Sequence, residues 1–327
     1  MKIALVGGHG FIGHHLALAL KASGHEPFVV DSLSINNALT VGEHPEYLAM
    51  CHERASLLNT AGVPVMYLDA RQYSTFTRLV APMKPQAIVH LAAVAHIDRS
   101  NKDPHSTFDN SLVTLENSLD VARSIGSHIV FFSSSTAYGD FKKPVVTEDE
   151  HCEPRGIYGS LKLAGELMVK AYGDLGVPFS IVRPCALYGA RCVSGRVTQK
   201  IVELAHAGKT IKIDGDGTGK HDFTYVADLV DGTRRLIEKG PTGQVFNITA
   251  GQARSLNDLV EIVRRDYPNL KAEYGPADPQ KPSRGTMSVA AATRSFGYLP
   301  RWSLERGMGE YIAWYKAFRN RLDRQAA

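Results

Sequence analysis

Long apolar runs are missing from this chain. Across its 327 residues no stretch approaches the ~20 consecutive apolar positions that span a bilayer, which argues against a membrane protein. Cysteine is scarce: the four present, Cys51, Cys152, Cys185 and Cys192, have neither metal-ligand spacing nor the density of a disulfide scaffold. No metal site is expected, and the thiols read as packing groups in a reducing compartment. Charge of one sign is also lacking. Lys and Arg number 37 against 33 acidic residues, a net +4, and no basic stripe points to nucleic acid. Met1 and Lys2–Val6 are too short to form the core of a signal peptide. A cytoplasmic protein is expected from these absences, with 44% apolar and 21% charged residues typical of a globular protein.

The first half alternates short apolar runs with longer amphipathic stretches. The runs are Lys2–Val6, Pro27–Val30, Val63–Leu68, Ala87–Leu91, His128–Phe132 and Phe179–Val182. Near-continuous Val, Ile, Leu and Phe suit strands covered on both faces, as in a parallel sheet. Helices are predicted near 11–23, 43–60, 72–81, 105–125 and 156–174. Strand–helix alternation implies a doubly wound α/β sheet of the Rossmann type. Beyond Arg183 the pattern predicts helices at 194–207 and 227–239, with strands at 210–213, Phe223–Val226 and Gln244–Ile248. Ser255 is placed to cap a helix through Asp266, with Asp258 at the capping-box position. A Pro- and Gly-rich stretch at 275–285 leads to a last helix near 303–319. The expected organisation is a Rossmann domain over 1–184, with a returning segment at about 222–248. A smaller α/β substrate-binding lobe takes 185–221 and 249–327.

Gly7-Gly8-His9-Gly10-Phe11-Ile12-Gly13 lies between the first strand and the first helix. Glycines at 7, 10 and 13 allow a sharp turn, a close approach to a pyrophosphate and tight helix–sheet packing. The helix N-terminus then offers free N–H groups to phosphate. Asp31 ends the second strand, where a carboxylate accepts from ribose hydroxyls and repels a 2′-phosphate. Ser32-Leu33-Ser34 follows it, without an arginine to welcome NADP. NAD is the expected cofactor.

Tyr158 and Lys162 are four residues apart and share one face of a predicted helix. An ammonium and a positive nicotinamide ring would favour tyrosinate, lowering the phenol from its usual ~10 and making a general base. Ser133-Ser134-Ser135-Thr136-Ala137-Tyr138-Gly139 follows the strand His128–Phe132, at the sheet edge where ligands of such folds bind.

With these residues the chain resembles the extended short-chain dehydrogenases/reductases, the NAD-dependent nucleotide-sugar epimerase/dehydratase family, over essentially its whole length. His90-Leu91-Ala92-Ala93, Arg183-Pro184 with Tyr188-Gly189, Asp222-Phe223-Thr224-Tyr225-Val226-Ala227-Asp228 and Gly297-Tyr298-Leu299-Pro300 fall in family order. The resemblance implies catalysis by Ser134, Tyr158 and Lys162. It implies cofactor contacts from Gly7, Gly10, Phe11, Ile12, Gly13, Asp31, Asp69, Ala70, Leu91, Ala92, Ala93 and Asn110, with Arg71 flanking the adenine. Tyr158 and Lys162 would also hold the nicotinamide ribose. Ser135 and Thr136 would contact the sugar of a nucleotide-diphosphate sugar, and Arg196, His221 and Arg284 its phosphate side. Homodimerisation through helices 105–125 and 156–174 is expected.

The family's 4,6-dehydratases carry acidic residues where this chain has Ser135-Thr136, and hydroxyls are poor acids and bases. Epimerisation through a 4-keto sugar is therefore expected, with Tyr158 as base. His96-Ile97-Asp98-Arg99-Ser100 pulls towards the dehydratases and is expected in a loop near the cofactor. A nucleotide-sugar 4-dehydrogenase or ketoreductase would use the same residues, and a non-catalytic NAD-binding scaffold is disfavoured by the intact tyrosine and lysine. The chain departs from the family's epimerases at Ala186 and His221, where they commonly have Asn and Arg.

Overall fold

The computed structural model describes residues 1–277 and 282–326; positions 278–281 of the Pro- and Gly-rich stretch lie outside the described residues. Seven strands form the main sheet: β1 (Lys2–Val6), β2 (Glu26–Asp31), β3 (Val65–Tyr67), β4 (Ala87–His90), β5 (His128–Phe132), β6 (Phe179–Arg183) and β7 (Gln244–Asn247). Their spatial order is β7-β6-β5-β4-β1-β2-β3, and every pairing is parallel. Connections leave β1 in opposite directions, to β2 on one side and later to β4 on the other. This reversal opens the crevice at the carboxyl ends of β1 and β4 where ligands of doubly wound sheets bind.

The strands are apolar throughout because both sheet faces are covered. Ile3 and Leu5 of β1 pack with Leu16, Leu20 and Phe246, while Ala4 and Val6 pack on the other face with Phe28, Leu115 and Phe131. This is the period-two alternation of a strand whose two faces each meet a layer of helices. The helices are α1 (Phe11–Ala22), α2 (Pro45–Thr60), α3 (Tyr73–Val80), α4 (Ile97–Lys102), α5 (Pro104–Phe108), α6 (Thr114–Ile125), α7 (Gly156–Asp174), α8 (Val197–His206), α9 (Val226–Lys239), α10 (Leu256–Arg264), α11 (Ala290–Phe296) and α12 (Leu304–Ala326). A further apolar cluster joins α8, α10 and α12 through Ile201, Leu259, Val263 and Ile312. The capping box before α10 forms as expected: Ser255 Oγ accepts from the Asp258 N–H at 3.0 Å and Asp258 Oδ2 accepts from the Ser255 N–H at 2.9 Å.

Three expectations are corrected. Phe223–Val226 is not a strand; its backbone bonds to the loop after β6, with Tyr188 N–H donating to Thr224 O and Val226 N–H to Tyr188 O. The buried apolar pattern is real, but its partner is a loop rather than a sheet. The predicted helix 105–125 is interrupted by a π-helical turn at Asp109–Val113. There Asn110 Nδ2 donates to Ser106 O at 2.8 Å and Thr114 Oγ1 to Asn110 O at 2.9 Å, side-chain claims on carbonyls that disturb the regular ladder. The segment His96–Ser100, expected as loop, enters helix α4 (Ile97–Lys102), with the His96 ring accepting from the Arg99 N–H at its start.

Helix α7 is locked to the sheet by a buried ion pair. Glu166 accepts from Arg183 Nε at 2.8 Å and Nη2 at 2.6 Å and from Ser133 Oγ at 2.5 Å. Neither charged side chain meets solvent. Removing one partner of such a pair strands the other charge, whereas replacing both is far milder. Arg183→Met should therefore cost about 3–5 kcal/mol, and the added Glu166→Leu should recover most of it in urea denaturation. A double variant no more stable than Arg183→Met would show that the pair does not act as a unit.

Candidate active site

The glycine loop turns sharply at Gly7, whose φ is +78°. A Cβ there would lie 2.6 Å from Ala92 N, and one at Gly13 would lie 2.4 Å from Gly8 Cα. The first glycine thus lets β1 pass against the chain after β4, and the last lets α1 seat on the loop. Gly10 precedes α1 without a side-chain cap, so the first-turn N–H groups face the crevice. Asp31, at the end of β2, accepts from the His9 N–H at 2.9 Å and the Leu33 N–H at 2.8 Å. Burial pushes its carboxyl above the usual range, against the pull of those donors.

One cleft is lined by Gly7, Gly10, Phe11, Ile12, Gly13, Asp31, Asp69, Ala70, Leu91, Ala92, Ala93, Asn110 and Arg196. All were expected on the cofactor or substrate side, and the fold brings them together. The π turn delivers Asn110. Asp69 is held by Arg71, whose Nη2 donates at 2.6 Å; that hydrogen bonding keeps the Asp69 carboxyl below its usual range. Ala70 offers its carbonyl to Asn117 Nδ2 at 2.7 Å.

Ser134 follows β5, and its Oγ accepts from the Thr136 N–H at 3.2 Å. Lys162 Nζ donates to Phe132 O at 2.7 Å and lies 5.9 Å from the Tyr158 ring centre. Burial lowers the Lys162 ammonium to about 8. Burial also raises Tyr158, opposed by the Arg196 charge and a hydrogen bond with Ser134. The net shift of the phenol is upward, and Lys162 sits beside the same ring. Arg196 precedes α8, held by Nε donating to Ser194 Oγ at 3.1 Å.

Arg284 Nη1 donates to Ser135 O at 3.0 Å and Gly139 O at 2.8 Å, so it braces the serine-rich turn. Thr136 Oγ1 is buried without a partner. His221 lies on the two-residue strand Lys220–His221, paired antiparallel with Arg254–Ser255, its ring 5.5 Å from that of Phe223. The dehydratase-like segment at 96–100 serves as a brace, with Arg99 Nη1 donating to Asn36 Oδ1 at 3.5 Å.

Sequence reasoning missed Ser32, Ser34, Asn36, Arg54, Thr114, Val193 and Ser194, which also line the cleft. Only Arg54 left a signal: it shares the buried face of α2 with Met50, Cys51 and Leu58, a charge where the helical period calls for an apolar residue.

The model of the family described as "NAD dependent epimerase/dehydratase family" matches residues 3–249. The chain belongs to that family. A probable UDP-glucuronate 4-epimerase of Rhizobium meliloti (strain 1021) is 27% identical over 96% of this chain and 97% of its own length. A dTDP-glucose 4,6-dehydratase of Streptomyces griseus is 26% identical, covering 97% of this chain and 95% of its own. Among solved structures, the UDP-glucose 4-epimerase of Thermotoga maritima, determined with UDP-glucose, is 25% identical. It has a TM-score of 0.86 and covers 97% of this chain and 99% of that one. The protein is an NAD-dependent enzyme of the extended short-chain dehydrogenase/reductase class, and its cleft fits the cofactor: a glycine cradle that a side chain would fill, a helix N-terminus without a side-chain cap and the Asp31 carboxylate in its lining. Among the described residues no group of three or more His, Cys, Asp or Glu is placed to hold a metal ion, and no helix is long and apolar enough to cross a membrane.

Asp31→Asn keeps the side-chain volume but removes the anion that repels a 2′-phosphate. NAD should bind more weakly and the preference over NADP should shrink, both read by calorimetry. A wild type that prefers NADP would overturn this role for Asp31.

Proposed function

We propose that the enzyme inverts C4 of a nucleotide-diphosphate sugar through a 4-keto intermediate. Tyr158 accepts the proton of the sugar 4-hydroxyl, with Ser134 bridging the two oxygens, and returns it when the ketone is reduced on its other face. Bound NAD supplies the hydride acceptor on the outward half and the donor on the return. Lys162 and Tyr158 would hold the nicotinamide ribose, and the Arg196 charge opposes the rise that burial imposes on the phenol.

The observation that carries this reading is the pair of hydroxyl side chains, Ser135 and Thr136, directly after Ser134. Loss of water across C5 and C6 needs an acid and a base, and neither residue supplies one. The unpartnered Thr136 hydroxyl is suited instead to a sugar hydroxyl, because a buried polar group left unpaired is costly. Arg196, His221 and Arg284 form the substrate's phosphate side. Residues 185–221 and 249–327 form the substrate-binding lobe, a division supported by the apolar cluster under α8, α10 and α12. The returning segment at about 222–248 belongs with the sheet, where Leu229 and Phe246 pack. A homodimer through helices 105–125 and 156–174 is supported by the exposed Phe108 at the end of α5 and the exposed Leu167 on α7.

The test is incubation with UDP-glucuronate, UDP-glucose, UDP-N-acetylglucosamine and dTDP-glucose. One of them should give its C4 epimer with no net change in NADH absorbance. Net NADH formation would favour a dehydrogenase, and a 4-keto-6-deoxy product a dehydratase. Tyr158→Phe should lower turnover by roughly 10²–10⁴-fold, the range for one general base, with NAD binding retained by calorimetry. Near-normal turnover would remove Tyr158 from the mechanism. Arg284→Ala should raise KM more than it lowers kcat, as expected for loss of uniform binding; an unchanged KM would take Arg284 out of substrate recognition.

A further inference from the structure

Arg54 is a fully buried arginine in the wall of the NAD cleft, and its hydrogen bonds reach no carboxylate. Nε and Nη2 donate to Arg191 O at 3.1 and 2.5 Å, and Nη1 donates to Asn36 O at 3.3 Å. A buried cation resting on carbonyls is expensive unless it has a task. The two carbonyls belong to two cleft-lining loops. Ser32, Ser34 and Asn36 come from the loop after β2, while Val193, Ser194 and Arg196 come from the loop after β6.

Both contact points are strained. Asn36 has φ +49° and Arg191 φ +62°, a left-handed region that costs a non-glycine residue about 1–2 kcal/mol. Such backbone persists only where its surroundings hold it. Arg54 supplies part of that hold, and the second loop is fastened elsewhere too. Arg191 Nε donates to His14 Nε2 at 3.0 Å, which leaves the proton on His14 Nδ1 to donate to Gly10 O at 2.9 Å. His15 Nε2 donates to Ala190 O at 3.1 Å. Arg191 also approaches Glu53 at 3.8 Å and stacks over Trp314 at 5.7 Å. The loop carrying Arg196 is thereby strapped to the helix that begins at the glycine cradle and to α2.

We propose that Arg54 is a positioning residue that fastens these two loops across the cleft and so keeps NAD bound between turnovers. The proposal rests on the NAD reading of the cleft and on the internal recycling of the cofactor in the proposed epimerisation, and not on which sugar is used. A cofactor that must be returned to its starting state within each cycle gains from such a clamp, because leaving in its reduced form would strand the enzyme.

The test measures NAD itself. Purified wild type, Arg54→Met and Arg54→Lys are desalted and their NAD content per chain is determined. Release is followed after mixing with excess competing NADH, and hydrogen exchange is read in 33–41 and 190–196. Met keeps the apolar length without donors, and Lys keeps the charge without the fork. Both variants should release NAD at least ~10-fold faster, the equivalent of one charge-assisted hydrogen bond, with faster exchange in the two segments alone. Wild-type retention in Arg54→Met overturns the proposal. So does wild-type retention in Arg54→Lys, which would make the role one of charge rather than of bridging two carbonyls. If Arg54→Met does not fold, His15→Phe tests the same strap from α1: several-fold faster release supports it, and unchanged release overturns it. A wild type that loses NAD on desalting as fast as the variants overturns it as well. Loss of epimerase activity in any variant does not enter the readout, so a wrong sugar assignment would leave this result standing.

Discussion

The placement of the reacting groups depends on the buried pair between Glu166 and Arg183. Tyr158, Lys162 and Glu166 follow one another at four-residue intervals along α7, so whatever holds Glu166 also sets the rotation of the helix that presents the base. Arg183 holds it from the end of β6, and Ser133 from the end of β5. The guanidinium further stacks on the Tyr138 ring at 4.5 Å, and the Tyr138 hydroxyl donates to Asn247 at the end of β7 at 2.8 Å. Three adjacent strands and one helix are therefore registered by a single polar cluster. Such clusters hold well only when every member is satisfied.

The electrostatics of the site divide the labour among its cations. Lys162 donates to the Phe132 carbonyl, and burial lowers its ammonium to about 8. Arg196 enters from the loop after β6 and acts on Tyr158 through its charge. Arg284 is spent on the carbonyls of the serine-rich turn. Lys162 and Arg284 thus fix backbone carbonyls, and Arg196 is tied to the Ser194 hydroxyl of its own loop.

Parts of this were legible because they are local. The glycine loop is a backbone requirement, and backbone requirements show in composition. The Tyr158–Lys162 spacing is a helical period, and the strand runs record burial on both faces. Other parts misled for physical reasons. Phe223–Val226 has a strand's apolar content, yet the available partner is the loop at 186–188, so burial was predicted correctly and pairing was not. The turn at Asp109–Val113 depends on side-chain bonds from Asn110 and Thr114 that no propensity records. His96–Ser100, expected as a loop, begins a short helix because the His96 ring accepts from the Arg99 N–H, a cap no propensity scale assigns to histidine.

By itself the sequence determined the doubly wound sheet, the preference for NAD, the placing of Tyr158 and Lys162 on one helix face, and the absence of an acid pair beside Ser134, because each follows from residues near one another in the chain. Only the tertiary structure decided that burial raises Tyr158 against the Arg196 charge, what Arg284 braces, and that Arg54 bonds to two loops. Arg54 and Arg191 are 137 positions apart. Contacts of that range, and the desolvation that moves a buried group's pKa, arise from packing between elements, and packing leaves no local pattern.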